Sequence, residues 1–166
     1  HRHKYAGRVR CRTEKRRETD DNAAWDMTPQ NVNASYDPSM NYVNFPAGIL
    51  QPPFFDQEID DAVNYGGVGV VIGHELTHGF DDEGRQFDAK GNLRDWWTPE
   101  DAREFEKRVQ CLVEAYSNFE PVPGVKLNGK LTLGENTADN GGLRASFVAR
   151  LSLPGRGHAT PTHRLP

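Results

Sequence analysis

The amino-acid sequence predicts an α+β fold that is mostly helical and has a small sheet edge. Helical periodicity or helix-start signals occur in three segments, at about residues 59–80, 98–118 and 132–149. Strand-like composition is confined to two short segments, residues 33–36 and 42–45. We therefore expect helices to carry most of the core and the two strands to lie at an edge.

Length and composition fit one soluble globular domain with a modest core. The chain has 166 residues, a formal net charge of -4, 36% hydrophobic residues and 27% charged residues. No run of about 20 apolar residues is present, and no apolar stretch follows the basic N-terminus. We expect neither a transmembrane segment nor a signal peptide in this chain.

Charge is unevenly distributed along the chain. Residues 1–17 carry +7 and residues 150–166 carry +3, which leaves -14 for residues 18–149. Neither end has hydrophobic periodicity, so we expect a disordered or non-native segment at 1–24 and a disordered tail at 150–166. The basic N-terminus could suit a nucleic-acid-binding module, but the acidic central block opposes this and predicts no nucleic-acid partner.

Two apolar regions precede the central motif. The strand candidates Asn33–Tyr36 and Tyr42–Phe45 are separated by a turn sequence containing Pro38, which predicts a hairpin or an exposed edge strand. Phe45–Phe55 is apolar but carries three prolines, so we expect an irregular buried wall. The next segment, Ile59–Phe80, fits a largely buried helix whose glycines lower helix propensity but allow another backbone to approach closely.

Two further helices have clear start signals. Thr98 is a good N-cap and Pro99 suits the first helical position, so a helix is predicted from there to about Asn118. Thr132 opens a third helix that reaches roughly Ala149.

The central chemical signal is the H-E-x-x-H pattern at residues 74–78. His74 and His78 are four residues apart, so on a helix both imidazoles can reach one zinc ion. Glu75 lies on the flank of the same face, where it can take a proton from zinc-bound water. Two ordinary histidines on a helix are the alternative interpretation.

A catalytic zinc site needs a third protein ligand from elsewhere in the chain. Glu135 is a candidate, and Asp139, one turn later, could accept a hydrogen bond from a ligand histidine. Glu135 could equally form a capping box with Thr132, and Asp139 could simply begin a turn. The sequence alone leaves these alternatives open.

Three other features admit two interpretations. Asp81 could accept a hydrogen bond from His78, although a solvated helix end is the more common arrangement. The strand candidate Asn33–Tyr36 could hold an extended substrate, or it could be an ordinary strand beside the core. Cys11 and Cys111 fit no metal-binding spacing. They could pair with each other, but two free thiols, or thiols whose partners lie outside this sequence, are the simpler expectation.

Several segments together resemble the neprilysin and endothelin-converting-enzyme family of zinc metallopeptidases, the gluzincins. The likeness runs from about Thr28 to Ala149. The segments match in order at residues 33–36, 45–54, 71–82, 95–97 and 133–142.

This resemblance implies a fragment of a zincin-like (thermolysin-like) catalytic domain at residues 25–149, with one Zn2+ per chain and peptides as substrates. It implies zinc-dependent endopeptidase activity and an extracytoplasmic location, whether periplasmic, cell-surface or secreted. The implied zinc ligands are His74, His78 and Glu135, the implied general base is Glu75, and Asp139 is implied to accept a hydrogen bond from a ligand histidine. The residues implied to bind substrate are Asn33 and Ala34, which pair with its backbone, and Ile49, Phe54, Val70 and Val71, which form an apolar pocket.

The family also has parts that this sequence does not match. A large N-terminal part encloses the active site, and a C-terminal part supplies a histidine that stabilises the oxyanion and an arginine that anchors the substrate. Neither His158 nor His163 lies in a segment with family likeness, so we assign neither to that role. The alternative prediction is therefore a chain that binds zinc but is catalytically incompetent.

Overall fold

The computed structural model describes residues 27–153. The predictions for residues 1–24, for Cys11 and for most of the tail lie outside the described residues. Within 27–153 the fold is mostly helical with a two-stranded sheet, as predicted, and no helix there is long and apolar enough to span a membrane. The elements are β1 (Ser35–Asp37), β2 (Tyr42–Asn44), α1 (Asp61–Asn64), α2 (Val70–Thr77), α3 (Pro99–Ser117) and α4 (Leu133–Ser152).

The two strands form the predicted hairpin, and Ser35 pairs with Asn44 in an antiparallel register. Asn33 and Ala34 lie just before β1 rather than within it. After the hairpin the chain is irregular apart from a 3₁₀ turn at Ala47–Ile49. The expected buried wall is only partly buried, because Ile49 is 3% exposed whereas Leu50 is 50% exposed.

The predicted helix at 59–80 is a composite. It begins at Asp61, whose preceding residue Asp60 accepts a hydrogen bond from Ala62 N, and a π-helical turn at Tyr65–Gly69 joins α1 to α2. A final 3₁₀ turn follows α2 at His78–Phe80. The prediction of a largely buried helix was wrong for its outer face, where Leu76 is 55% exposed in this chain.

Helices α3 and α4 follow their predicted starts. Thr98 and Asp101 form a reciprocal capping box at the beginning of α3, which satisfies backbone N–H groups that have no partner within the helix. Helix α4 continues to Ser152, so the predicted end at Ala149 and the tail expected from residue 150 were three residues too early. The side chain of Thr132 makes no capping hydrogen bond at its start.

Helices α2 and α4 pack together at a pair of glycines. A Cβ atom at Gly73 would lie 2.8 Å from Cα and O of Gly142, and a Cβ at Gly142 would lie 2.6 Å from His74 N. No side chain fits between the two backbones at this point. The close backbone approach predicted for the glycines of this helix is therefore confirmed. It brings the first turn of α4 beside the two histidines.

We expect Gly142→Ala to lower the free energy of unfolding by about 1–3 kcal/mol, because the new methyl group would overlap the backbone of α2. The matched control is Gly66→Ala, since a Cβ at Gly66 meets nothing within 4 Å. That control should be neutral or stabilising by up to about 1 kcal/mol. Urea unfolding of both variants measures the difference, and equal stabilities would contradict the packing described above.

Candidate metal centre

His74 and His78 lie on successive turns of one helix and face each other at their distal nitrogens. His74 belongs to α2, and His78 begins the 3₁₀ turn that continues it. Their Nε2 atoms are 2.9 Å apart. The four-residue spacing predicted from the sequence therefore brings both imidazoles to one point.

Glu135 reaches the same point from the first turn of α4. Its Oε2 atom lies 3.3 Å from His74 Nε2 and 3.7 Å from His78 Nε2. The proposed capping box with Thr132 is not formed, since Thr132 Oγ1 instead accepts a hydrogen bond of 2.8 Å from Asn136 Nδ2. The Glu135 carboxylate is thus directed at the histidines rather than at the backbone of its own helix.

One carboxylate lies behind each imidazole, on the Nδ1 side of the ring. Asp139 Oδ1 lies 2.9 Å from His74 Nδ1, and Asp81 Oδ2 lies 2.7 Å from His78 Nδ1. Asp81 is only 4% exposed, so the alternative of a solvated helix end was wrong for it. Asp139 lies within α4, so the alternative of a turn was wrong as well.

The protonation pattern makes the centre suited to a cation. Each carboxylate can only accept, so each Nδ1 carries a proton, and in the neutral imidazole Nε2 then presents a lone pair. The ligand atoms of His74, His78 and Glu135 then lie within 4.8 Å of one another. Ligands of a tetrahedral zinc ion lie about 3.3 Å apart when Zn–N is about 2.0–2.1 Å. The donor set and its spacing therefore fit a small divalent ion.

Glu75 lies beside this cluster and is only 6% exposed. Burial raises the pKa of its carboxyl group above the ordinary value, and the nearby His74 and His78 only partly offset this effect. A carboxylate with a raised pKa holds a proton more readily near neutral pH, which is the property that a general base needs when it must later return that proton.

The His78–Asp81 pair has its own electrostatics. The hydrogen bond that His78 donates to Asp81 raises the pKa of His78, although burial opposes the charged imidazole. Burial would raise the pKa of Asp81, but hydrogen bonds from His78 and from the backbone N–H groups of Gly84 and Glu83 outweigh it, so that pKa is lowered.

The cluster opens into a cleft of about 580 Å³. Asn33 and Ala34 line it, as expected of substrate-binding residues, whereas Ile49, Phe54, Val70 and Val71 are not among its lining residues; an apolar substrate pocket formed by these four stays a prediction. The sequence did not single out several other residues of the cleft, because nothing local in the chain indicates which loops meet there. They include Pro38, Glu83, Leu131 and Gly134.

Comparison with known proteins identifies the family. A sequence profile of peptidase family M13 matches residues 33–158. The chain belongs to peptidase family M13. This confirms the resemblance to neprilysin and the endothelin-converting enzymes, and the match extends beyond Ala149, where the recognisable motifs end.

Similar proteins in this family are much longer. Endothelin-converting enzyme 1 of Homo sapiens is 51% identical over 141 residues, which cover 83% of this chain and 18% of that protein. Neprilysin-11 of Caenorhabditis elegans is 52% identical over 130 residues, which cover 78% of this chain and 15% of that protein. The M13 chain described here thus spans less than a fifth of the length of these relatives.

Solved structures of similar proteins share the fold. Zinc metalloprotease ZMP1 of Mycobacterium tuberculosis, in complex with an inhibitor, superimposes with a TM-score of 0.75 at 51% identity, over 79% of this chain and 21% of that one. PEPO from Lactobacillus rhamnosis HN001 gives a TM-score of 0.74 at 43% identity, over 82% of this chain and 21% of that one.

The His78–Asp81 pair predicts how the stability of the metal-free chain depends on pH. Because the folded-state pKa of His78 is raised above 6.5, its stabilisation is fully present below pH 6.5 and is lost as pH rises through the raised value. The contribution of Asp81, whose pKa is lowered, stays present throughout this range.

We therefore expect the free energy of unfolding of the metal-free chain, measured in urea, to fall as the pH rises above 6.5. Asp81→Asn keeps an oxygen to accept from the Glu83 and Gly84 backbones but removes the charge, so its decline should be shallower. Parallel pH curves for the two proteins would refute the role of this pair.

Proposed function

We propose that this M13 chain is the zinc-binding part of a zinc-dependent endopeptidase that hydrolyses peptide bonds. One Zn2+ is held by His74, His78 and Glu135. The observation that carries this proposal is the convergence of the ligand atoms of His74, His78 and Glu135 within 4.8 Å of one another. With both imidazoles neutral and protonated on Nδ1, all three atoms present lone pairs. Such an arrangement of lone pairs is unfavourable unless a cation lies between them.

When bound, zinc supplies Lewis-acid activation of a water molecule and of the peptide carbonyl. Glu75 takes the proton of the attacking water as general base and passes it to the leaving amine. Its partly desolvated position, with a raised pKa, suits a group that must both accept and release a proton. Because Glu75 follows His74 directly, it lies near the reacting atoms without being a ligand.

The two carboxylates behind the histidines orient them for ligation. Asp139 and Asp81 fix the Nδ1 protons of His74 and His78 and so leave both Nε2 atoms available. Asp81 is itself held by two backbone N–H groups, at 2.9 Å from Glu83 N and 2.7 Å from Gly84 N. The histidine rings therefore lose little rotational freedom on binding the metal.

The substrate lies along the edge that precedes and includes β1. Asn33 and Ala34 line the cleft beside the metal centre, and β1 has a strand partner on only one side among residues 27–153. An extended peptide can add to such an edge through main-chain hydrogen bonds. Ile49, Phe54, Val70 and Val71 supply the apolar pocket for the residue after the cleaved bond. The longer parent enzyme acts outside the cytoplasm.

A second candidate function is zinc binding without turnover. The residues that line the cleft between 27 and 153 include no lysine, no arginine and no histidine besides the two ligands. No cationic side chain besides these histidines therefore lines the cleft, within residues 27–153, to stabilise an oxyanion. Loss of one such donor typically lowers the rate about 10²- to 10³-fold.

Zinc stoichiometry distinguishes the metal site from a chance cluster. We expect the purified chain to hold one zinc ion by metal analysis, and Glu135→Ala to lose it or bind it far more weakly. Asp139→Asn, which alters only a partner of a ligand, should weaken zinc binding about 10- to 100-fold. A chain that holds no zinc, or a Glu135→Ala variant with unchanged zinc affinity, would contradict the proposed metal site.

Peptide cleavage by the zinc-loaded chain tests catalysis separately. We expect Glu75→Gln to retain zinc and to lose hydrolysis, because glutamine cannot accept the water's proton. If the wild-type chain and Glu75→Gln both hold zinc but neither cleaves the peptide above background, the second candidate function is correct. Cleavage by Glu75→Gln at the wild-type rate would contradict the assigned base.

A further inference from the structure

The β1 edge is in direct contact with the turn that carries a metal ligand. Tyr36 lies on β1 and lines the cleft. A Cβ atom at Gly79, the residue after His78, would lie 3.2 Å from the Tyr36 hydroxyl and 3.4 Å from Cζ of its ring. The absence of a side chain at Gly79 therefore lets the phenol ring rest against the backbone beside His78.

The same hydroxyl is tied to the far end of the hairpin. Tyr36 donates a hydrogen bond of 3.0 Å to Asn41 Oδ1, and Asn41 Nδ2 donates one of 3.1 Å to the carbonyl of Ala89. Asn41 has a positive φ of 47°, a conformation that asparagine tolerates better than most residues. Tyr36 and Asn41 thus link β1, the hairpin turn and the loop that follows the metal-binding helix.

A second contact closes this link. Gly91, with φ of +79°, lies so close to the hairpin turn that a Cβ there would be 1.8 Å from the carbonyl oxygen of Ser39. The loop after His78 therefore packs along the hairpin turn as well as being hydrogen-bonded to it. Because the hairpin has only two strands, these contacts rather than a larger sheet hold it against α2.

We propose that Tyr36, through Asn41 and its contact with Gly79, is a positioning residue that sets the distance between the substrate-binding edge and the metal centre. This inference rests on the proposed peptidase function and deepens it. A peptide that pairs with this edge presents its scissile carbonyl to the metal centre beside His78 only if the position of the edge relative to that centre is fixed. Small misplacement of a bound substrate is costly in rate, so a rigid tie at this point has a function.

The test measures zinc binding and peptide binding separately. The zinc-loaded Glu75→Gln chain is titrated against a fluorescently labelled hexapeptide with a central leucine, and binding is followed by anisotropy. In this background we expect Tyr36→Phe and Gly79→Ala to weaken peptide binding about three- to tenfold, the size of one neutral hydrogen bond. Zinc affinity should be unchanged in both, because neither residue contacts a ligand atom.

Matched controls separate positioning from general loss of stability. Tyr116→Phe removes a hydroxyl from α3, outside the cleft, and Gly66→Ala adds a methyl group where no atom lies within 4 Å; both should bind the peptide like the parent. Asn41→Gly keeps the backbone conformation and removes the link. Combined with Tyr36→Phe, it should add little further loss, because both changes break one tie.

The outcomes are distinct. Peptide affinity that is unchanged in both Tyr36→Phe and Gly79→Ala would overturn the inference while leaving the peptidase proposal intact. Parallel loss of zinc and peptide would also overturn it, since Tyr36 would then support the ligands rather than the edge. If the Glu75→Gln chain holds zinc but binds no peptide, both the proposed function and this inference are wrong. Urea unfolding of each variant confirms that it is folded, and Gly79→Ala carries the test if Tyr36→Phe is not.

Discussion

The whole site depends on how closely two helices pack. At Gly73 and Gly142 the backbones of α2 and α4 approach to a distance at which no Cβ atom fits between them. Helices with larger residues at the contact are held 8–10 Å apart between their axes. The short approach is what allows Glu135, on α4, to come within 3.3 Å of a histidine on α2. A conventional side-chain interface would leave this carboxylate out of reach.

The same contact explains the balance of stability and function in this chain. Small residues contribute little apolar burial, and few large side chains are buried in residues 27–153; the buried hydrophobic residues there include Ile49, Val68 and Leu133. In place of a large core, hydrogen bonds between distant segments hold the centre, notably from Ser146 Oγ to the carbonyl of Tyr65 in the π-helical turn. The Tyr65 carbonyl accepts this bond, which ties α4 to the π-helical turn that precedes α2.

Charge in the site is organised in layers. The histidines form the inner layer with Glu135, and Asp81 and Asp139 form the outer layer behind them. Acidic groups so close together would repel one another, and a divalent cation at their centre would relieve that repulsion. Each layer combines a residue of α4 with residues of α2 or of the segment that follows it, so folding and metal binding stabilise the same arrangement.

Local spacing in the sequence was enough to determine part of this protein. The convergence of His74 and His78 and the capped start of α3 at Thr98 each follow from interactions between neighbours in the chain, and both were predicted correctly. The catalytic role of Glu75 stays a prediction. Family membership followed from motifs in a fixed order. Two points were open until the tertiary structure was known. One was whether Glu135 caps its own helix or faces the histidines, and the other was whether Asp81 is buried. Contacts such as His74 to Asp139 join residues 65 positions apart, and no local pattern specifies which distant backbone will approach.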